Sequence, residues 1–113
     1  MEIKVINNED IKIVEIIGQL NGINSEKAEK EISALLIKNS RLVFEMSQCD
    51  YISSAGLRVL LITAKKLKLN DGHAVTCGLI EEVKDVMEMT GFDNMFNNYE
   101  NLEEAVEAIK KEV

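Results

Sequence analysis

The sequence holds no proline, one histidine (His73) and only two cysteines (Cys49 and Cys77) in 113 residues. Without a C-x-x-C pair or a second histidine, a structural zinc site is not expected. Cys77 reads as a small buried strand residue. Cys49 is open between that reading and a redox role, although nothing near it in sequence would depress its pKa. A lone histidine at a strand start is read as structural or solvated. Positive charge is scarce: 13 Lys and Arg stand against 20 Asp and Glu, a net −7. That balance argues against the basic face of a general nucleic-acid binder. No apolar run approaches the roughly 20 residues of a membrane span. Met1-Glu2-Ile3-Lys4 lacks a signal-peptide pattern, so a cytoplasmic protein without membrane insertion is expected.

The motifs of common chemistries are missing as well. There is no Walker loop, no G-x-G-x-x-G and no G-x-S-x-G elbow, and no acidic residues are spaced as a metal site. No feature brings His73 to a serine. The chain is expected to need no cofactor and not to be an enzyme. With no repeat, linker or low-complexity tract, residues 1–113 are expected to form a single domain.

What is present is a regular alternation of elements. Glu2 to Ile6 alternates polar and apolar, as an edge strand does. Asn7 to Asp10 is turn chemistry, and Ile11 to Ile17 is β-branched and apolar on both faces, so an antiparallel hairpin is expected. A helix follows, capped by Asn24 or Ser25, with Ala28, Ile32, Leu35 and Leu36 inward and an exposed Glu26–Lys30 pair. Leu42 to Met46 reads as a buried strand. His73 to Cys77 is another, preceded by Gly72 as a left-handed helix cap. Ile80, Val83, Val86 and Met87 mark a third helix closed by Thr90-Gly91. Phe92, Met95 and Phe96 suggest a short strand or an apolar plug. Asn101 and Glu104 resemble a capping box for a last helix with Leu102, Ala105, Val106 and Ile109 inward. Beyond the hairpin, strand and helix alternate, which implies a mixed, mostly parallel sheet packed by about four helices: an α/β fold.

The chain is organised around Tyr51-Ile52-Ser53-Ser54-Ala55-Gly56-Leu57. Small residues there permit a tight turn into an apolar helix, and a serine can cap its free N–H groups. The positive end of that helix tolerates an anion. At about 100° per residue, Leu57, Leu60, Leu61, Ala64 and Leu67 share an inner face, with Arg58, Val59, Ile62, Lys65 and Lys66 opposite. That outer set is either scattered surface or a docking face of apolar anchors with a basic rim.

The serine turn between strand and helix resembles that of the STAS domain of bacterial anti-sigma factor antagonists. So do Gly18-Gln19-Leu20-Asn21 and the Thr90-Gly91-Phe92 step before Met95-Phe96, and the resemblance spans essentially the whole chain. It implies a STAS-like (SpoIIAA-like) single domain. The family motif commonly reads Asp-Ser-x-Gly-Leu, with the serine phosphorylated. Here Ser54 takes that serine's place and Ser53 the aspartate's, Gly56 and Leu57 match, and Asn21 stands where aspartate is frequent. The resemblance implies phosphorylation at Ser54, with Ser53 a second candidate, and partner binding through Asn21, Ser53, Ser54, Gly56, Arg58, Val59, Ile62 and Lys66. It implies an anti-sigma factor/serine kinase and a PP2C-type phosphatase as partners. The alternative is a non-switching STAS subunit acting as a scaffold in a cytoplasmic signalling or transporter-associated complex.

Overall fold

The computed structural model describes residues 1–111. Strands β1 (Glu2–Asn8) and β2 (Ile11–Leu20) form the antiparallel hairpin, in register from Glu2 opposite Ile17 to Asn8 opposite Ile11. Helix α1 (Ser25–Ser33), β3 (Arg41–Glu45), β4 (Cys49–Ile52), α2 (Ser54–Leu69), β5 (His73–Cys77), α3 (Glu81–Thr90), a 3-10 turn (Phe92–Asn94), β6 (Asn98–Tyr99) and α4 (Leu102–Lys110) follow. The sheet order is β1-β2-β3-β5-β6, parallel beyond the hairpin, and β4 pairs with the far end of β2. The mixed α/β sheet and its packing by four helices among the described residues are as the sequence pattern implies.

Both faces of the sheet are covered, which is why Leu42, Val43 and Phe44 form an unbroken apolar run. On one side Leu42 and Phe44 join Val14, Ile16 and Leu20 beneath Ala28, Ile32, Leu57, Leu60, Val83 and Met87 of α1, α2 and α3. On the other, Val43 joins Ile11, Ile13, Val75 and Cys77 beneath Ala105 and Ile109 of α4. The edge strand β1 is more exposed than its alternation implies, with Val5 and Ile6 both open to solvent.

Several local expectations are met and others are corrected. Gly91 adopts a left-handed conformation (φ 78°) at the end of α3. Asn101 accepts from Glu104 N at 2.9 Å, half of a capping box. Phe96 is the expected plug, its ring 5.8 Å from that of Phe44, while the strand forms later, at Asn98–Tyr99. Gly72 is not the left-handed residue after α2; Asp71 is, with φ 56°. Glycine is needed at 72 for another reason: a Cβ there would meet Leu67 Cδ2 at 2.8 Å. Helix α1 ends at Ser33, so Leu35 and Leu36 pack from the following turn and not from the helix. Cys49 and Cys77 are both buried and free. Burial pushes the Cys49 thiol pKa up. Burial, and then the Glu45 carboxylate, push that of Cys77 to about 11.

Candidate partner-binding and modification site

The site begins with a strand that a four-residue segment conceals. Tyr51 and Ile52 lie not in a turn but in β4, which pairs Gly18 with Cys49, Gln19 with Tyr51 and Leu20 with Ile52. The register shift between Gly18 and Gln19 leaves Asp50 as an extra residue, a bulge that tightens the local twist. The backbone of β2 then holds the turn: Ser53 N donates to Leu20 O at 2.9 Å.

Ser53 is the N-cap of α2. Its backbone is extended (φ −92°, ψ 176°), and its Oγ accepts from Gly56 N at 3.2 Å. Ser54 is the first residue of the helix and is exposed. Its hydroxyl has no intramolecular hydrogen bond to any described residue. The two adjacent serines therefore differ physically: one oxygen holds the helix start, and the other stands outward, uncommitted. No acidic residue lies in the first turn of α2, so the positive helix end is not already neutralised there.

Gly56 is buried and does not face a partner, contrary to the expectation. A Cβ on it would lie 2.6 Å from Leu20 O and 2.9 Å from both Ile52 Cγ1 and Leu20 Cγ. Its role is close approach of the helix to the strand ends.

The outer face of α2 also differs from its helical wheel, because α1 packs along it. Val59 is only 3% exposed, in the core with Ala28 and Ile32. Thr63 is buried and returns its hydroxyl proton to Val59 O at 2.8 Å. Lys66 Nζ donates to Ser33 Oγ of α1 at 2.9 Å. Arg58 is exposed and Ile62 half-buried. Together with Ala55, Val59, Ser25, Glu26 and Glu29 they line a shallow groove between α1 and α2. The outward set that remains is Ser54, Arg58, Lys65 and part of Ile62; Leu61 and Ala64, expected inside, are only half-buried.

Asn21 shapes the loop beside the serine turn. Its Oδ1 accepts from Ile23 N at 2.9 Å and Asn24 N at 3.3 Å. Asn24 in turn accepts from Asn21 N at 3.0 Å and donates to Gln19 O at 2.8 Å. Asn24 therefore occupies the N-cap position of α1 without capping through its side chain. The loop lifts Ile23 into solvent, 95% exposed. Neither Asn24's role nor the Leu20 anchor is visible in residue types alone; the Asn-Gly-x-Asn spacing was the available signal.

His73 lies far from this site. It pairs with Arg41, which pairs with Ile11, at the opposite end of the strands from Leu20. The run of β2 from Ile11 to Leu20 spans roughly 30 Å. No group of three or more His, Cys, Asp or Glu among the described residues could hold a metal ion. No helix among them is long and apolar enough to cross a membrane.

The STAS domain family model matches residues 2–105. BtrV of Bordetella bronchiseptica, named as a candidate anti-sigma factor antagonist, is 40% identical over 94 residues, 82% of this chain and 81% of its own. An anti-sigma factor antagonist from Mycobacterium paratuberculosis has a solved structure with a TM-score of 0.87 at 22% identity, covering 97% of this chain and 94% of its own. SpoIIAA, an anti-sigma factor antagonist, superposes in its unphosphorylated form with a TM-score of 0.78 at 14% identity, covering 99% of each chain. The Bacillus SpoIIAA structure in phosphorylated form gives 0.71 at 13% identity, over 96% of this chain and 99% of its own. The match across nearly the whole chain and the relative at 40% identity agree with the sheet order and the serine turn: this chain belongs to the STAS domain family.

Proposed function

We propose that this protein is a cytoplasmic anti-sigma factor antagonist controlled by phosphorylation of Ser54. In this reading the unmodified chain binds an anti-sigma factor that is also a serine kinase, and the sigma factor is released. The kinase then modifies its own ligand. The Ser54 Oγ attacks the γ-phosphorus of ATP, the bond to the β–γ bridging oxygen breaks, ADP leaves and the hydroxyl proton passes to the kinase or water. A PP2C-type phosphatase hydrolyses the phosphoester and resets the cycle. The chain is thus a substrate and not a catalyst.

The observation that carries the reading is the division of labour between two serines. Ser53 Oγ is engaged by Gly56 N, whereas Ser54 is exposed at the first position of α2. A phosphate on Ser54 adds about 1.5 to 2 negative charges where the helix end favours an anion, so the fold beneath survives. A docked partner meets the new bulk and charge, and desolvating them costs on the order of several kcal/mol. The names of relatives and the two states in which SpoIIAA has been solved support the same assignment.

The test is intact-mass measurement after incubation with the cognate kinase and ATP, followed by peptide mapping. One added phosphate on Ser54, absent from Ser54→Ala, is expected. Equal modification of Ser54→Ala would refute the acceptor. Co-purification with a transporter complex and no phosphate would select the scaffold alternative.

A further inference from the structure

Arg58 is the cation of α2 that lies one turn from Ser54. Nearby, Lys30 pairs with Glu26 at 3.5 Å and Lys66 is bonded to Ser33, and the exposed Lys65 lies about three turns further along α2 from Ser54. Arg58 is exposed and has no ion-pair partner among the described residues. Across the groove, α1 offers it Glu26 and Glu29. Neither forms a salt bridge with it, and Glu26 is the partner of Lys30. Helix α2 runs without interruption from Ser54 to Leu69, so Ser54 and Arg58 are an i,i+4 pair on one face. Helical side chains lean toward the N-terminus, which aims the Arg58 guanidinium over the turn that starts at Ser54.

We propose that Arg58 is the internal counter-ion of a phosphate on Ser54, so that modification also withdraws the guanidinium from the partner-facing surface. This rests on the reading that residue 54 is the phosphorylated one. A phosphate dianion presents three acceptor oxygens to the planar guanidinium and takes two parallel N–H bonds. It competes with the carboxylates of Glu26 and Glu29 by its greater charge and its place on the same helix face. In the unmodified protein Arg58 projects a positive charge beside Ser54. In the modified protein the same side chain folds back onto the phosphate. The surface then loses a cation and gains a net negative charge in one event. Arg58 is in this sense a positioning residue: it sets how the phosphate is held.

The experiment uses the full chain with phosphoserine genetically encoded at position 54, so that no kinase is required. The second ionisation of the phosphate is followed by 31P NMR across pH 4 to 8 in three proteins: the chain with Arg58, Arg58→Gln and Arg58→Lys. With Arg58 present the phosphate pKa is expected to lie roughly 0.15 to 0.4 below that in Arg58→Gln. Arg58→Lys, which keeps the charge but not the fork, is expected to recover at least half the difference. Equal pKa values with Arg58 and in Arg58→Gln, or an Arg58→Lys protein indistinguishable from Arg58→Gln, overturn the proposal. Because the phosphate is installed during synthesis, a kinase that ignores Ser54 would sink the partner-switching reading without altering this result.

Discussion

Gly56 lies against the end of β2 so closely that a methyl group on it would stand 2.6 Å from the Leu20 carbonyl oxygen. That oxygen is also the acceptor for Ser53 N. The contact that lets α2 start here and the bond that fixes its cap therefore meet on one atom. Gly56→Ala should destabilise the protein by about 1–3 kcal/mol, because the overlap is with backbone and cannot be relieved by a rotamer change. Gly22, where an added methyl would have nothing within 4 Å, provides the control. Its alanine variant should stay within about 0.5 kcal/mol of the parent in urea titration.

The two serines should separate stability from modification. Ser53→Ala removes the oxygen that accepts from Gly56 N and should cost about 1 kcal/mol. Ser53→Asp keeps a capping oxygen and should cost less. Ser54→Ala, which removes an exposed hydroxyl, should be within about 0.5 kcal/mol of the parent. Chemical denaturation of the three variants, set beside their phosphate uptake, checks the assignment: Ser53→Ala is weakened but modified, and Ser54→Ala is stable but unmodified.

Asn21 acts through its carbonyl oxygen, which holds Ile23 N and Asn24 N. Asn21→Ala should lose about 1 kcal/mol and increase amide exchange at residues 22–24. Asn21→Asp retains the acceptor and places a negative charge near the start of α1, so the loop and its stability should be preserved. Exchange rates at Ile23 and Asn24, followed by NMR, distinguish the two.

Much of this arrangement was legible in the chain. The spacings of Val83 with Met87, and of Ala105 with Ile109, gave helices whose inner faces the structure confirms. The serine turn was legible because four small residues in a row have few other uses. Val59 was misplaced because a wheel assumes one buried face, and α2 has two: one on the sheet and one beneath α1. β4 was hidden because its burial runs buried, exposed, exposed, buried; the bulge at Asp50 destroys the alternation that marks a strand. Asp71 took the left-handed position assigned to Gly72, since the tighter need for glycine was steric and came from Leu67 and Ser40, one of them remote in sequence.

The thiol of Cys77 gives a pH test of the core. Its folded pKa is raised to about 11 from 9.0, chiefly by burial. Between those values the unfolded chain has lost a proton that the folded chain keeps, so stability falls as pH rises. Below about pH 9 the contribution is fully present. Unfolding midpoints measured from pH 8 to 11 should therefore decline more steeply for the parent than for Cys77→Ala. Parallel curves would place the thiol in a more polar setting than the sheet interior.

Calorimetric titration of the anti-sigma factor partner with the unmodified chain, Ser54→Ala and the Ser54 phosphoprotein tests the central claim most directly. The account predicts that the first two bind alike and that the phosphoprotein binds at least tenfold more weakly. Equal affinity for all three would contradict it.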